Sequence, residues 1–365
     1  MKKVISITVV LGVLSLFGIA CAPLDDISSG KAFLEAFPSQ DTLIITTTDP
    51  SFQTSGLKTL RQPLVGERAD LHDLSFYVAW QVNDQAYHVF SVIWFITRFQ
   101  PSQAVLEDGV IGQGDDQIIY DARAVWGPFR DDEGKNLEFI LHVFRCIDPD
   151  DGRRTFVWYA AGRPLGGGED AWVIFLTGGA KPLATANGTV NRMGIVEVDM
   201  EAVRSLDPTE DDVGNATYAF VENIDSYAVA AVGEGVWSDN THTAVSDVTY
   251  FYGRSSEGYT VLEFDTNVDV ANVAGEALES LHVTTGWLDS GDGRSDAQAI
   301  GGDLPPGGAS LTECWGVNLK QTYFNFVTDG NQIEDGSIEA CFSADPIAVP
   351  EVDYAEIRDL FLLDF

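Results

Sequence analysis

Short alternating runs dominate the chain from Gln117 onward. In Ile195-Val196-Glu197-Val198-Asp199-Met200-Glu201, the residues Val196, Val198 and Met200 share one face, and Glu197, Asp199 and Glu201 share the other. That period of two predicts a strand in a sheet with one wet side. Runs of the same character occupy 155–159, 171–176, 217–221, 248–252, 259–264 and 281–287. Between them lie the turn signals Gly166-Gly167-Gly168, Asn187-Gly188, Ser255-Ser256-Glu257-Gly258 and Asp289-Ser290-Gly291-Asp292-Gly293. Strands joined by turns this short are antiparallel neighbours, so an extended meander is expected.

The stretch 70–99 follows a different period. Leu71, Leu74, Val78, Val82, Ala86, Val89, Ile93 and Ile96 step by three or four, which is one stripe of a helix. Asp70 suits an N-cap with Asp73 at the N3 position, and Gln100-Pro101 supplies the stop. Strand propensity around Tyr77–Val82 and Val89–Thr97, with Asn83-Asp84 as a turn, is the competing hairpin reading. The unbroken ladder favours the helix. So apolar a helix requires burial, and Tyr77, Phe90 and Phe99 widen its stripe; the concave face of a curved sheet is the natural partner. The expected fold is therefore mainly β: a curved antiparallel meander or half-barrel packed on one long N-terminal helix.

The first residues read as an address. Lys2 and Lys3 precede an apolar run from Val4 to Phe17, and Gly18-Ile19-Ala20 supplies small residues ahead of Cys21. This is the pattern of an export signal over 1–20, shorter than the ~20 residues of a bilayer-spanning helix. Gly18-Ile19-Ala20-Cys21 resembles the lipobox of bacterial lipoproteins, with Gly18 where a leucine or similar residue is usual. The resemblance implies that Cys21 becomes an acylated first residue, and Ala22 in place of Asp favours the outer membrane or cell surface. Residues 21–36 would be the tether, 37–345 one β-rich domain, and 346–365 a tail. In that tail Pro350, Val352, Ala355, Ile357 and Leu360 fit a short docked helix, and the alternation Phe361, Leu363, Phe365 is the weaker alternative of a barrel end signal.

Composition narrows the partners. Loss of Lys2 and Lys3 with the signal takes the formal charge from −35 to −37. A surface so acidic repels nucleic acid and anionic lipid, while 45% hydrophobic residues and eight tryptophans suffice for a core. With Cys21 lipidated, an exported chain keeps Cys146, Cys314 and Cys341, where an odd number leaves one thiol over. Cys314 and Cys341, nearest in sequence and beside turn-rich stretches, are expected to pair; Cys146 lies in an apolar run and reads as a small buried hydrophobe.

Several separated stretches resemble a family of uncharacterised lipoproteins from myxobacterial-type bacteria. They are Phe37-Pro38-Ser39-Gln40-Asp41, 82–99 before Gln100-Pro101-Ser102, Val125-Trp126-Gly127-Pro128-Phe129, 285–296 leading into Gly301-Gly302-Asp303-Leu304-Pro305, and Glu313-Cys314-Trp315 with Ala340-Cys341. The resemblance supports the helix and the cysteine pair and implies no activity.

Catalytic signatures are poor. Gly253-Arg254-Ser255-Ser256-Glu257-Gly258 has Glu where a nucleophile elbow needs glycine, and Gly30-Lys31 lacks a phosphate loop's earlier glycine. Gly109, Gly112 and Gly114 precede a strand and not a helix, so they make no dinucleotide motif either. His72, His88, His142, His242 and His282 stand without zinc spacing, the nearest to a cluster being Asp239, His242 and Asp247. Asp289, Asp292 and Asp296 crowd one loop that could suit calcium, but the EF-hand spacing is missing and a plain turn is preferred. No metal site or cofactor is expected. The functional expectation is a lipid-anchored, non-catalytic binding or carrier module for an apolar ligand or lipid. The alternatives are a surface structural or interaction protein without a cavity, and a hydrolase with an unrecognised site.

Overall fold

The computed structural model describes residues 27–47, 59–60, 65–112, 117–131, 134–148, 152–183, 191–237, 245–270, 277–341 and 349–361. The export signal and Cys21 lie outside them, as do Asn187-Gly188, Gly114, Asp239 and His242.

The strands are β1 (Thr59–Leu60), β2 (Gln103–Ile111), β3 (Ile118–Arg130), β4 (Leu137–Ile147), β5 (Arg154–Pro164), β6 (Val173–Leu183), β7 (Asn191–Asp199) and β8 (Asn215–Glu222). They continue as β9 (Tyr227–Trp237), β10 (Val245–Arg254), β11 (Tyr259–Val270), β12 (Glu279–Leu288), β13 (Gly293–Ile300), β14 (Ala309–Trp315), β15 (Gln321–Thr328) and β16 (Asn331–Gly336). From β2 to β16 each strand pairs with its sequence neighbour, all antiparallel, and the order ends on β2 and β16 without pairing them. β1 adds a short parallel pairing to β11. The fold is thus mainly β, one unclosed curved sheet, as the turn spacing implied. β2 is an addition to that reading, since its sequence carries no clean alternation. At the other end of the expected run, Ile195–Glu201 alternates only as far as Asp199, whose side chain accepts from the Ala202 N–H and opens a short helix instead.

The helices are α1 (Gln40–Leu43), α2 (Asp70–Ile96), α3 (Met200–Leu206) and α4 (Tyr354–Phe361), with a 3-10 turn over Lys31–Ala36. α2 ends three residues earlier than the period suggested, where Thr97 closes it by bonding through Oγ1 to the Ile93 carbonyl at 2.8 Å. Its residues Leu71, Leu74, Val78, Val82, Ala86, Phe90, Ile93 and Ile96 are all buried. The hairpin alternative fails at Asn83, which sits mid-helix and bonds the Ile45 backbone both ways: Oδ1 accepts from its N–H at 2.6 Å and Nδ2 donates to its carbonyl at 2.9 Å.

Four tryptophans are fully buried; three tie the sheet to what it encloses, and Trp315 ties β14 to the turn between β12 and β13. Their indole N–H groups each reach a backbone carbonyl: Trp126 to Phe99, Trp158 to Ala36, Trp287 to Thr46 and Trp315 to Gly291, at 3.0–3.2 Å. Tyr252 and Tyr227 donate to the Leu43 and Ile44 carbonyls in the same way. A buried aromatic ring contributes its apolar area only if its polar atom is satisfied, and here that requirement fixes the segment 43–46 inside the sheet. The core also reaches further toward the N-terminus than expected. Ile27, Phe33 and Ala36 are buried, with Phe33 edge-on to Trp126 at 6.5 Å, so residues 27–36 belong to the domain and not to a tether.

A second, smaller cluster lies apart from the main core. Ile357 and Phe361 of α4 pack on Phe144, Cys146, Val157, Ile195 and Ala219, strand residues whose neighbours in sequence point into the main core. Gly179 makes the fit possible: a Cβ there would lie 2.3 Å from the Phe361 ring and 2.9 Å from the Phe156 carbonyl. The terminal segment is therefore a docked helix; Leu360 and Ala355, placed on its apolar side by the sequence, are exposed, and Phe361 takes their role.

Candidate functional site

The start of α2 is the most polar place in the interior. Ala69 precedes the helix and offers no capping side chain; Asp70, the expected cap, is the first helical residue. The cap comes instead from β14, where the Glu313 carboxylate accepts from the Asp70 N–H at 3.1 Å and the Leu71 N–H at 2.6 Å. Gln321 Nε2 donates to the same carboxylate at 3.2 Å. A negative group at a helix N-terminus satisfies orphan donors and opposes the helix dipole. Burial nevertheless dominates and pushes the Glu313 carboxyl up to about 8, the two backbone N–H groups pulling in the other direction.

His72 sits beside this cap, its ring stacked on Phe76 at 4.1 Å and edge-on to Trp315 at 5.1 Å, with Nδ1 bonded to Asp73 at 2.9 Å. Ser75, one turn on, bonds to Thr285 at 2.6 Å, and Thr285 in turn to Ser295 at 2.6 Å. His72, Ser75, Thr285 and Ser295 are all buried, so this hydroxyl chain is spent within the fold and has no face toward a substrate.

The remaining sequence candidates are dispersed. Cys314 and Cys341 are joined in a disulfide, and Cys146 is a buried free thiol whose pKa burial raises to about 12. Asp289 accepts from Arg254 at 2.6 Å, Asp292 from Ser290 at 2.9 Å, and Asp296 from both Arg294 nitrogens and Thr312. The three carboxylates thus serve separate partners, and no group of three or more metal-ligating side chains occurs among the described residues. Ser255 closes the hairpin between β10 and β11, its Oγ accepting from the Glu257 and Tyr259 N–H groups. His142 stacks on Tyr159 at 4.8 Å, and burial together with the Arg123 charge holds it down at about 4; His282 pairs with Asp265. Arg294 pairs with Asp296 two residues on in the same strand, Thr312 of β14 donates to Asp296 across the pairing, and Trp287 reaches the Thr46 carbonyl.

Two features bear on function directly. The first is a hollow among the described residues, lined by Leu281, Ala297, Ala299, Leu311 and Phe326 of the strands β12 to β15, with room of about 10 Å³. The second was missed in the sequence. α2 is not buried all round: Trp80 is 45% exposed, Tyr87 54% and Phe95 51%, with Phe99 just beyond the helix at 48%. Tyr77, Trp80 and Tyr87 step by three and then seven, which keeps them on the side opposite the buried ladder, while Trp94, seven further on, is half-buried against the core. That spacing was visible in the sequence but merged with the buried stripe. No helix among the described residues is long and apolar enough to cross a membrane. Set against family models, curated proteins and solved structures, the chain matches none.

Proposed function

We propose that this chain is a lipid-anchored extracytoplasmic protein that acts through its surface, as a non-catalytic interaction module. The observation that carries the reading is the aromatic face that α2 leaves exposed at Trp80, Tyr87 and Phe95. A site for a drug-sized apolar ligand encloses about 300–1,000 Å³, whereas the hollow described above, between strands, has room for about one water molecule. An exposed face beside so small a hollow favours a surface role over carriage. The address supports the anchored half of the proposal: a short apolar run ending in Ala20-Cys21.

Two measurements test it. Native mass spectrometry of protein purified from its own host should show the acyl mass and nothing further; a co-purifying lipid of defined mass would restore the carrier reading. Metabolic labelling with a fatty-acid analogue should mark the wild type and not Cys21→Ser, and equal labelling of the two would remove the anchor.

A further inference from the structure

We propose that the exposed aromatic face at the C-terminal end of α2 seats the domain on the lipid surface to which Cys21 anchors it. The inference rests on the anchored reading above and goes beyond it by assigning the contact face.

Three observations converge on that end of the helix. The first is where the tether enters. Ile27 is buried in the core, and Gly30 runs against Pro101, two residues past Phe99; a Cβ at Gly30 would lie 2.6 Å from Pro101 Cδ. Gly30 has φ 76, so both its conformation and this approach call for glycine. Cys21 is six residues from Ile27, a reach of at most about 20 Å. An acyl chain on Cys21 therefore holds this end of the domain, and not the far end at Glu313, close to the bilayer.

The second is the character of the face. Tyr87 and Phe95 are exposed, Phe99 lies against Phe95 at 5.2 Å and against Phe129 at 5.6 Å, Trp94 is half-buried beside them, and Leu34 of the 3-10 turn is exposed. Tryptophan and tyrosine prefer the headgroup region, where an apolar body and a polar tip are both accommodated.

The third is charge. The chain carries 56 acids in 365 residues, yet none lies between Asp84 and Glu107. The outward face of α2 thus changes from acidic at Asp70, Asp73 and Asp84 to aromatic at Tyr87, Phe95 and Phe99, with Arg98 among them. On a protein so negative, an acid-free aromatic patch at the tethered end fits a lipid surface better than it fits the rest of its own exterior. The lipid on Cys21 holds the protein at the bilayer, and a seated protein face fixes its orientation there.

The test uses the acylated full-length product reconstituted into phosphatidylcholine vesicles whose acyl chains carry bromine, a short-range quencher of tryptophan. Emission should fall relative to unbrominated vesicles, and Trp94→Phe should remove more of that quenching than Trp80→Phe, a position about 24 Å from the seated end of the helix. Phe95→Ser, at a half-exposed position, should reduce it about twofold while near-ultraviolet circular dichroism stays unchanged. Acylated, vesicle-bound protein without quenching would overturn the seating and leave the anchor standing. If quenching is absent and the protein forms a dimer that Phe95→Asp separates, the face belongs to a second copy. Protein without acyl mass that fails to bind vesicles would overturn the anchored reading itself.

Discussion

β5 and β12 are strands of one meander, yet they bury their residues differently. In β12 the inward residues Leu281, Val283 and Thr285 are buried and Ser280, His282 and Thr284 between them are exposed. In β5 the consecutive residues Phe156, Val157 and Trp158 are all fully buried. The backbone pattern is the same; what differs is that the α4 cluster covers Val157 on the side away from Trp158. A strand's alternation therefore reports what covers its two faces, and the cover here comes from some two hundred residues further along the chain.

The sharpest way to break the comparison is a charge at each position in turn. Phe156→Asp and Val157→Asp should both abolish folding, since each buries an unpaired carboxylate at a cost above about 4 kcal/mol. In β12, Val283→Asp should do the same. Thr284→Lys, facing out with Glu263 and Asp296 opposite on the flanking strands, should stay within about 0.5 kcal/mol of wild type or gain slightly. Thermal denaturation of the four variants decides, and tolerance of Val157→Asp would mean that α4 does not cover β5.

Smaller changes sharpen it. Phe361→Ala empties the outer cluster and should cost about 3–5 kcal/mol in denaturant unfolding, as for other buried aromatic truncations. Cys341→Ser opens the loop back to Cys314 and should cost about 3.5 kcal/mol by loop entropy. Non-reducing peptide mapping should find that bridge, with Cys146 alkylated only after unfolding.

The last effect is on pH dependence. Burial raises the folded pKa of Glu313 from the ordinary carboxylate range to about 8, so its contribution is fully present below that range and is lost as pH rises toward 8. The Tm of wild type minus that of Glu313→Gln should fall over this window. A constant difference would mean that the carboxylate stays ionised throughout, held by the Asp70 and Leu71 N–H groups.

The sequence made local periodicity legible and hid whatever depended on distant partners. The ladder from Leu71 to Ile96 revealed α2 because a helix writes its buried side into every third or fourth residue. The cysteine pair followed from compartment and number. Glu313 could not be found, because its role is to cap a helix 242 residues earlier in the chain. Nor could the covered outer face at Ile195, since Glu197 and Asp199 beside it mark that side of the strand as wet. The uncovered face of α2 was masked by its own aromaticity: rings at Trp80 and Tyr87 read as core when composition alone is weighed.

The unclosed sheet has a consequence for how copies of the protein meet. Its two terminal strands expose a row of backbone donors and acceptors, the template on which chains stack into ribbons. β2 bears a bulge between Leu106 and Gly109, with Glu107 and Asp108 at the irregularity, and β16 carries Glu334 and Asp335 with every residue exposed. Bringing these margins together would set acid against acid along an interrupted ladder. Where copies of the protein crowd together, such margins keep the molecules separate and leave each sheet to end at its own edge strands.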